Sequence, residues 1–321
     1  MEEQILALRA QVAQLFEEFN QGNYYDDLLD RFFALQDEVE WKVEETAVRL
    51  PRLAGDKKQK FNDLLSALDE DNKHKLTNAD WEFLLKFNGN RDSLIRDQQL
   101  FFHFFQAVQK HQIEKEQVHF LKAQLLADEK IFFHILEPEN DGIYTRSFSW
   151  LMLSALIVED QKYYHMLDQT DYYDILTQAV TYLLLEQDGR GFVPGNGWAH
   201  TMLHMANLFE GYSFTDLPRA PKMFFFTAIF FAYIRNPYNL SYGEDQRLAG
   251  AITVLTGRDQ VYVDYVISVF KYWNTNYHRV NIPNDYEFWN MFYNQMRLFD
   301  SLLLLDDVPE EIKNFIENEL R

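Results

Sequence analysis

The chain has 321 residues, with 50 acidic against 30 basic side chains, a formal charge of −20 and no cysteine. A surface this acidic repels a phosphate backbone, so nucleic acid is disfavoured as a partner. The lack of cysteine excludes disulfides and thiolate chemistry and fits a reducing compartment, so a cytoplasmic location is expected.

In chain order the dominant period is helical. Ile5, Leu8, Val12, Leu15, Phe16 and Phe19 fall at i, i+3 and i+4 spacings and make one apolar stripe. Further stripes predict helices at Leu28–Val48, Phe61–Leu68, Trp81–Phe87, Gln98–Val108 and Gln117–Leu126. Others follow at Phe148–Val158, Tyr172–Leu185, Trp198–Phe209, Lys222–Ile234, Gln246–Leu255, Val261–Trp273, Tyr286–Leu305 and Glu310–Leu320. Thr77 and Asp80 are spaced as a capping box, and Pro309 with Glu310 and Glu311 suits a first turn. The run Met223–Ile234 is the most apolar, yet it falls short of the roughly 20 residues a membrane span needs; a buried core helix is expected.

Breaks fall at Leu53–Asp56, Phe87–Asp92, Glu137–Gly142, Gln187–Gly197, Gly211–Pro221, Asn236–Glu244 and Asn281–Asp285. Most are short, which favours antiparallel neighbours. The expectation is an all-α chain, a HEAT-like α-solenoid of stacked antiparallel helix pairs. Residues 1–90 are read as a divergent N-terminal helical region and 91–321 as one continuous superhelix, with the loop at Asn88–Asp92 as the boundary.

Chemistry concentrates between Glu186 and Glu210. Four glycines (Gly189, Gly191, Gly195 and Gly197) precede a helix expected to begin near Trp198, which carries His200 and His204 one turn apart. His200, His204 and Asn207 fall within about 60° of arc on one face. Two imidazoles at i and i+4 can share a metal ion, although the glutamate of an HExxH motif is missing and a third ligand would have to come from Asp188, Glu186 or a distant helix. Free N–H groups at the start of that helix, beside Arg190, suit a carboxylate or phosphate. Arg146, Arg190 and Arg247 each have acidic neighbours in sequence; they serve as salt-bridge partners between helices, or converge on an anionic ligand near His200.

Several blocks together resemble an uncharacterised bacterial family, a domain of unknown function with HEAT-like helical repeats. They are Leu94–Asp97, Thr145–Ser149, Asp188–Val193 followed by Gly197-Trp198-Ala199-His200 and His204, and Glu244–Leu248. The match covers about residues 90–255, and Asn207 stands where an aspartate is expected. What the resemblance implies concerns the fold more than any activity.

The site is therefore expected around Arg146, Asp188, Arg190, Trp198, His200, His204, Asn207 and Arg247, with His200 and His204 as candidate metal ligands. Two functions are open. One is a non-catalytic binding or interaction module for a protein or small anionic ligand, with an acidic or aromatic groove. The other is a metal-dependent or histidine-based hydrolase in which His200 and His204 converge with Asp188 or another carboxylate. The identity of a cofactor is left open.

Overall fold

A computed structural model describes residues 3–70, 75–276 and 285–320. The described chain is all-α apart from one two-residue hairpin. It begins with α1 (Glu3–Asn20), α2 (Leu28–Asp37), α3 (Asp56–Glu70) and α4 (Asn78–Leu85). A π-helical turn (Leu94–Phe101) runs into α5 (Phe102–Gln109), and α6 (Gln117–Leu125) and the short α7 (Asp128–Ile131) follow. Next come α8 (Gly142–Glu159) and α9 (Gln169–Leu185), then the hairpin of β1 (Phe192–Val193) and β2 (Gly197–Trp198). The remainder is α10 (Thr201–Ser213), α11 (Arg219–Ile234), α12 (Glu244–Thr256), α13 (Gln260–Asn276), α14 (Tyr286–Leu304) and α15 (Glu310–Phe315). The break expected at Asn281–Asp285 lies outside the described residues except for Asp285.

Helices alternate between two rows. In one, α8, α10, α12 and α14 pack side by side in that order; in the other, α9, α11 and α13 do so. Helices α1 and α2 make a cover over α11 and α9 of the second row. Every residue from Ala220 to Phe231 is buried, which is why this run can be apolar on all sides. Phe224 alone meets three rings of the cover: Phe16 at 5.3 Å, Phe19 at 5.5 Å and Phe32 at 5.3 Å between centroids. The apolar core is continuous from Ile5 to Leu320, and a separate small cluster of Ile143, Tyr144 and Ala199 sits under the hairpin. No described helix is long and apolar enough to cross a membrane.

Two expectations need correction. The stripe at Leu28–Val48 is helical only to Asp37; residues 38–55 hold neither helix nor strand. Beyond Asp37 backbone donors are taken by other segments, Glu40 N by Gln4 Oε1, Lys42 N by the Leu136 carbonyl and Thr46 N by Glu137, and β-branched Val39, Val43, Thr46 and Val48 are weak helix formers. The helix expected near Trp198 starts at Thr201, because Gly197 and Trp198 pair back onto Val193 and Phe192. Val193-Pro194-Gly195-Asn196 makes the turn: proline at its second position, Gly195 at φ +84° at its third, and Asn196 N donating to the Val193 carbonyl at 3.0 Å. This is the type II pattern, and only glycine takes that third position without strain.

Candidate functional site

The expected residues divide between two places that meet at Arg190. On one side is a cleft of about 350 Å³ whose wall is made by Glu186–Asp188, Glu137–Glu139, Pro237–Asn239, Tyr286, Glu287, Asn290 and Trp41, with Arg146 in its floor. On the other is the hairpin, with Trp198 and His200 beside Tyr242.

The cleft floor is a buried ion pair. Arg146 on α8 donates Nε to Glu186 Oε2 at 2.6 Å and Nη2 to Oε1 at 3.0 Å, a two-pronged contact, and Nη1 donates to the Phe133 carbonyl at 2.7 Å. Tyr182 donates to the same carboxylate at 2.9 Å. Burial lowers the Arg146 guanidinium, but Glu186 at contact distance outweighs this and raises it. Asp188 is held by Arg190, which also reaches Glu139 at 3.2 Å and donates to the Asn140 carbonyl at 2.7 Å. Glu139 in turn accepts from the Tyr238 hydroxyl at 2.8 Å.

The lining is mostly negative. Five carboxylates face the cleft, from Glu137, Glu139, Glu186, Asp188 and Glu287, with Trp41, Tyr238 and Tyr286 as aromatic walls. Arg146, Arg190 and Lys42 are each committed to one or more of these carboxylates. Burial raises the Glu137 carboxyl, yet hydrogen bonds from His134 and from Thr46 outweigh it and bring it down to about 2.

On the hairpin side, Phe192, Trp198 and Tyr242 are exposed rings in contact: Phe192–Trp198 at 4.9 Å and Trp198–Tyr242 at 5.4 Å, both edge-on. Gly191 makes this possible, since a Cβ there would stand 2.3 Å from the Tyr242 ring. His200 caps the start of α10 with a left-handed backbone (φ +54°), and its ring stacks under Trp198 at 4.1 Å. Its Nε2 is buried without a hydrogen-bond partner, 3.7 Å from Oε1 of the buried Glu244. Burial lowers His200 to about 4, so the imidazole is neutral near pH 7, and burial raises the Glu244 carboxyl.

His204 stands 6.1 Å from His200 between ring centroids, nearly perpendicular, and its Nδ1 is 2.7 Å from the buried Ser147 hydroxyl. Of the sources expected for a third metal ligand, Glu186, Asp188 or a distant helix, the first two are bound to Arg146 and Arg190 on the cleft side. Among the described residues no group of three or more histidine and carboxylate side chains is placed to hold a metal ion. The arginines do not converge near His200 either. Arg146 and Arg190 meet at Asn140, whereas Arg247 stands apart with Glu210 and Asn207. The Arg190 guanidinium, expected beside a free helix start, is turned into carboxylates.

Sequence reading missed Trp41, Glu137, Glu139, Tyr238 and Tyr242, which reach the site from distant loops. Arg96, Ser147 and Glu244 did carry a signal, because each lies in a block of the resemblance. Arg96 is fully buried between the Tyr144 and Phe148 rings, at 4.4 and 4.7 Å, and donates to the carbonyls of Asn196 and Trp198 at 2.8 and 2.9 Å. It pins the hairpin to the π-helical turn.

A family model, described as a protein of unknown function (DUF2785), matches residues 131–304. No curated protein and no solved structure matches the chain.

Proposed function

The chain belongs to the DUF2785 family, whose function is unknown, and from its own geometry we propose that it is a non-catalytic binding module whose cleft takes a positively charged organic group. The supporting observation is the cleft lining: five carboxylates and three aromatic side chains around a concave floor, with the nearby cations already engaged. Aromatic faces attract alkylammonium and guanidinium groups through the ring quadrupole, and carboxylates at the rim add charge. A small anionic ligand fits this lining poorly. The alternation of helices between two rows supports stacked helix pairs, a HEAT-like arrangement, as the scaffold.

A hydrolase reading keeps one observation in its favour. The unpaired His200 Nε2 beside Glu244 is the kind of contact from which a general acid and base can be built. It would act without the metal, since His204 is engaged with Ser147 and among the described residues no third ligand joins the histidines.

Calorimetric titration with benzyltrimethylammonium and with benzoate separates cation from anion binding. The cation is expected to bind, and Glu139→Gln or Glu287→Gln to weaken it roughly three- to tenfold. Binding of benzoate in place of the cation would defeat this reading.

A further inference from the structure

We infer that residues 38–55 form a strap, latched by Glu137, that carries Trp41 as a removable wall of the cleft. The part concerning ligand entry rests on the cleft reading above; the latch does not.

A stretch of this length without helix or strand is unusual in a compact chain. Loops beyond about 12–15 residues are mostly lids, binding loops or linkers. This one lies over the surface from α2 to α3, and its side chains are largely exposed between Lys42 and Ala47. Its near end is tied to α1: Gln4 Nε2 donates to the Glu40 carbonyl at 2.9 Å, and Glu40 N donates to Gln4 Oε1 at 3.1 Å. Trp41 follows directly and lines the cleft. Lys42 N then donates to the Leu136 carbonyl at 2.9 Å.

The latch is a single carboxylate. Thr46 donates its backbone N–H to Glu137 Oε2 at 2.9 Å, and its hydroxyl lies 2.9 Å from both carboxylate oxygens. His134 Nδ1 meets the same carboxylate at 2.8 Å, and Lys42 Nζ comes within 3.5 Å. Glu137 thus faces the cleft with one side and holds the strap with the other. A cation arriving in the cleft competes with Thr46 and Lys42 for that carboxylate, while Trp41 offers it a ring face. Closure of the strap and occupancy of the cleft are therefore coupled through one side chain. Trp41 also lies outside residues 131–304, so the ligand preference of this chain is set in part by a segment the family match does not include.

The test is limited trypsinolysis at Arg49 and Arg52, both exposed on the strap, with melting temperature as the check on folding. Cleavage follows the open population when opening is fast. Glu137→Gln is expected to raise the cleavage rate roughly tenfold and Thr46→Ala roughly threefold. Thr46 is exposed, so its variant carries the test if Glu137→Gln does not fold. Unchanged cleavage in folded variants overturns the latch. Titration of benzyltrimethylammonium into Trp41→Ala then separates the two readings. A roughly fivefold loss of affinity supports Trp41 as a wall. Undiminished affinity overturns that role and leaves the cleft standing. No binding to the unmodified chain, together with faster cleavage in the variants, defeats the cleft reading and upholds the latch.

Discussion

Ser147 and His204 share one proton arrangement. The serine hydroxyl donates to the Ala199 carbonyl, so its 2.7 Å contact with His204 Nδ1 must use the imidazole's proton. His204 is thereby held as the Nδ1–H tautomer, with Nε2 as its lone-pair nitrogen. The preceding residue, Arg146, points to Glu186 in the cleft floor. One turn of α8 thus organises both halves of the candidate site. Ser147 is itself fully buried and is not a nucleophile open to substrate.

Burial brings His204 down to about 3 and His200 to about 4, from an ordinary 6.5. Both are therefore neutral in the fold, whereas the unfolded chain takes up protons as pH falls through about 6.5. Stability is unaffected by these groups above that point and declines with acidification down to their folded values. The slope is at most about 1.4 kcal/mol per pH unit for each histidine. Urea unfolding between pH 7 and 4.5 should show this decline, and it should be shallower in a His200→Asn/His204→Asn double variant. Equal slopes in the two proteins would refute the assignment.

Removing the pin at Arg96 should loosen the hairpin before it melts the helices. Lysine cannot supply two donors to the carbonyls of Asn196 and Trp198 while lying flat between two rings. Arg96→Lys is expected to cost about 2–4 kcal/mol. Quenching of Trp198 by acrylamide should rise in the folded variant, read against a Trp198→Phe background.

Two glycines of the hairpin should respond unequally to alanine. Gly195 has φ +84° with open space around it, so the cost is backbone strain of about 1–2 kcal/mol. Gly197 has φ +77°, and a Cβ there would stand 2.5 Å from the Ser93 Cβ. Strain and overlap together are expected to cost about 2–4 kcal/mol. Chemical denaturation of the two variants compares them, and equal losses would mean that Ser93 moves aside freely.

The Arg146–Glu186 pair offers a test of coupling. Glu186→Gln leaves a buried guanidinium without its charge partner and should cost about 3–5 kcal/mol. Adding Arg146→Met to that variant should recover part of the loss, since the uncompensated charge goes with it. Additive losses across the double-mutant cycle would show that the pair is not coupled.

Most helices were legible because burial and sequence period coincide. Val12, Phe16 and Phe19 are buried where the stripe of α1 places them, and Thr77 accepts from Asp80 N as its spacing required. Apolar Met223–Ile234 is the buried helix its length implied. The hairpin was not legible as strand, since two paired residues on each side give no alternation to read; the turn chemistry of Pro194-Gly195 was its only signal. The strap was hidden for the opposite reason. Val39, Trp41 and Val43 sit close enough to the end of α2 to extend its stripe on paper, but the N–H groups of Glu40, Lys42 and Thr46 find partners in other segments that no local pattern announces. The cleft could not be found by local reading because Trp41, Glu137, Glu186, Tyr238 and Tyr286 come from separate segments of the chain.

The cover over α11 also bears on how the chain is made. Phe16, Phe19 and Phe32 leave the ribosome long before Phe224, roughly ten to forty seconds earlier at about 5–20 residues per second. For most of that interval α1 and α2 carry a bare apolar face, and α9, which packs on both, covers only part of it before α11 emerges. Once α11 emerges, its shelter already exists, so the greasiest segment spends the least time bare. The hazard of aggregation during synthesis falls instead on two amphipathic helices, whose charged faces keep them in water while they wait.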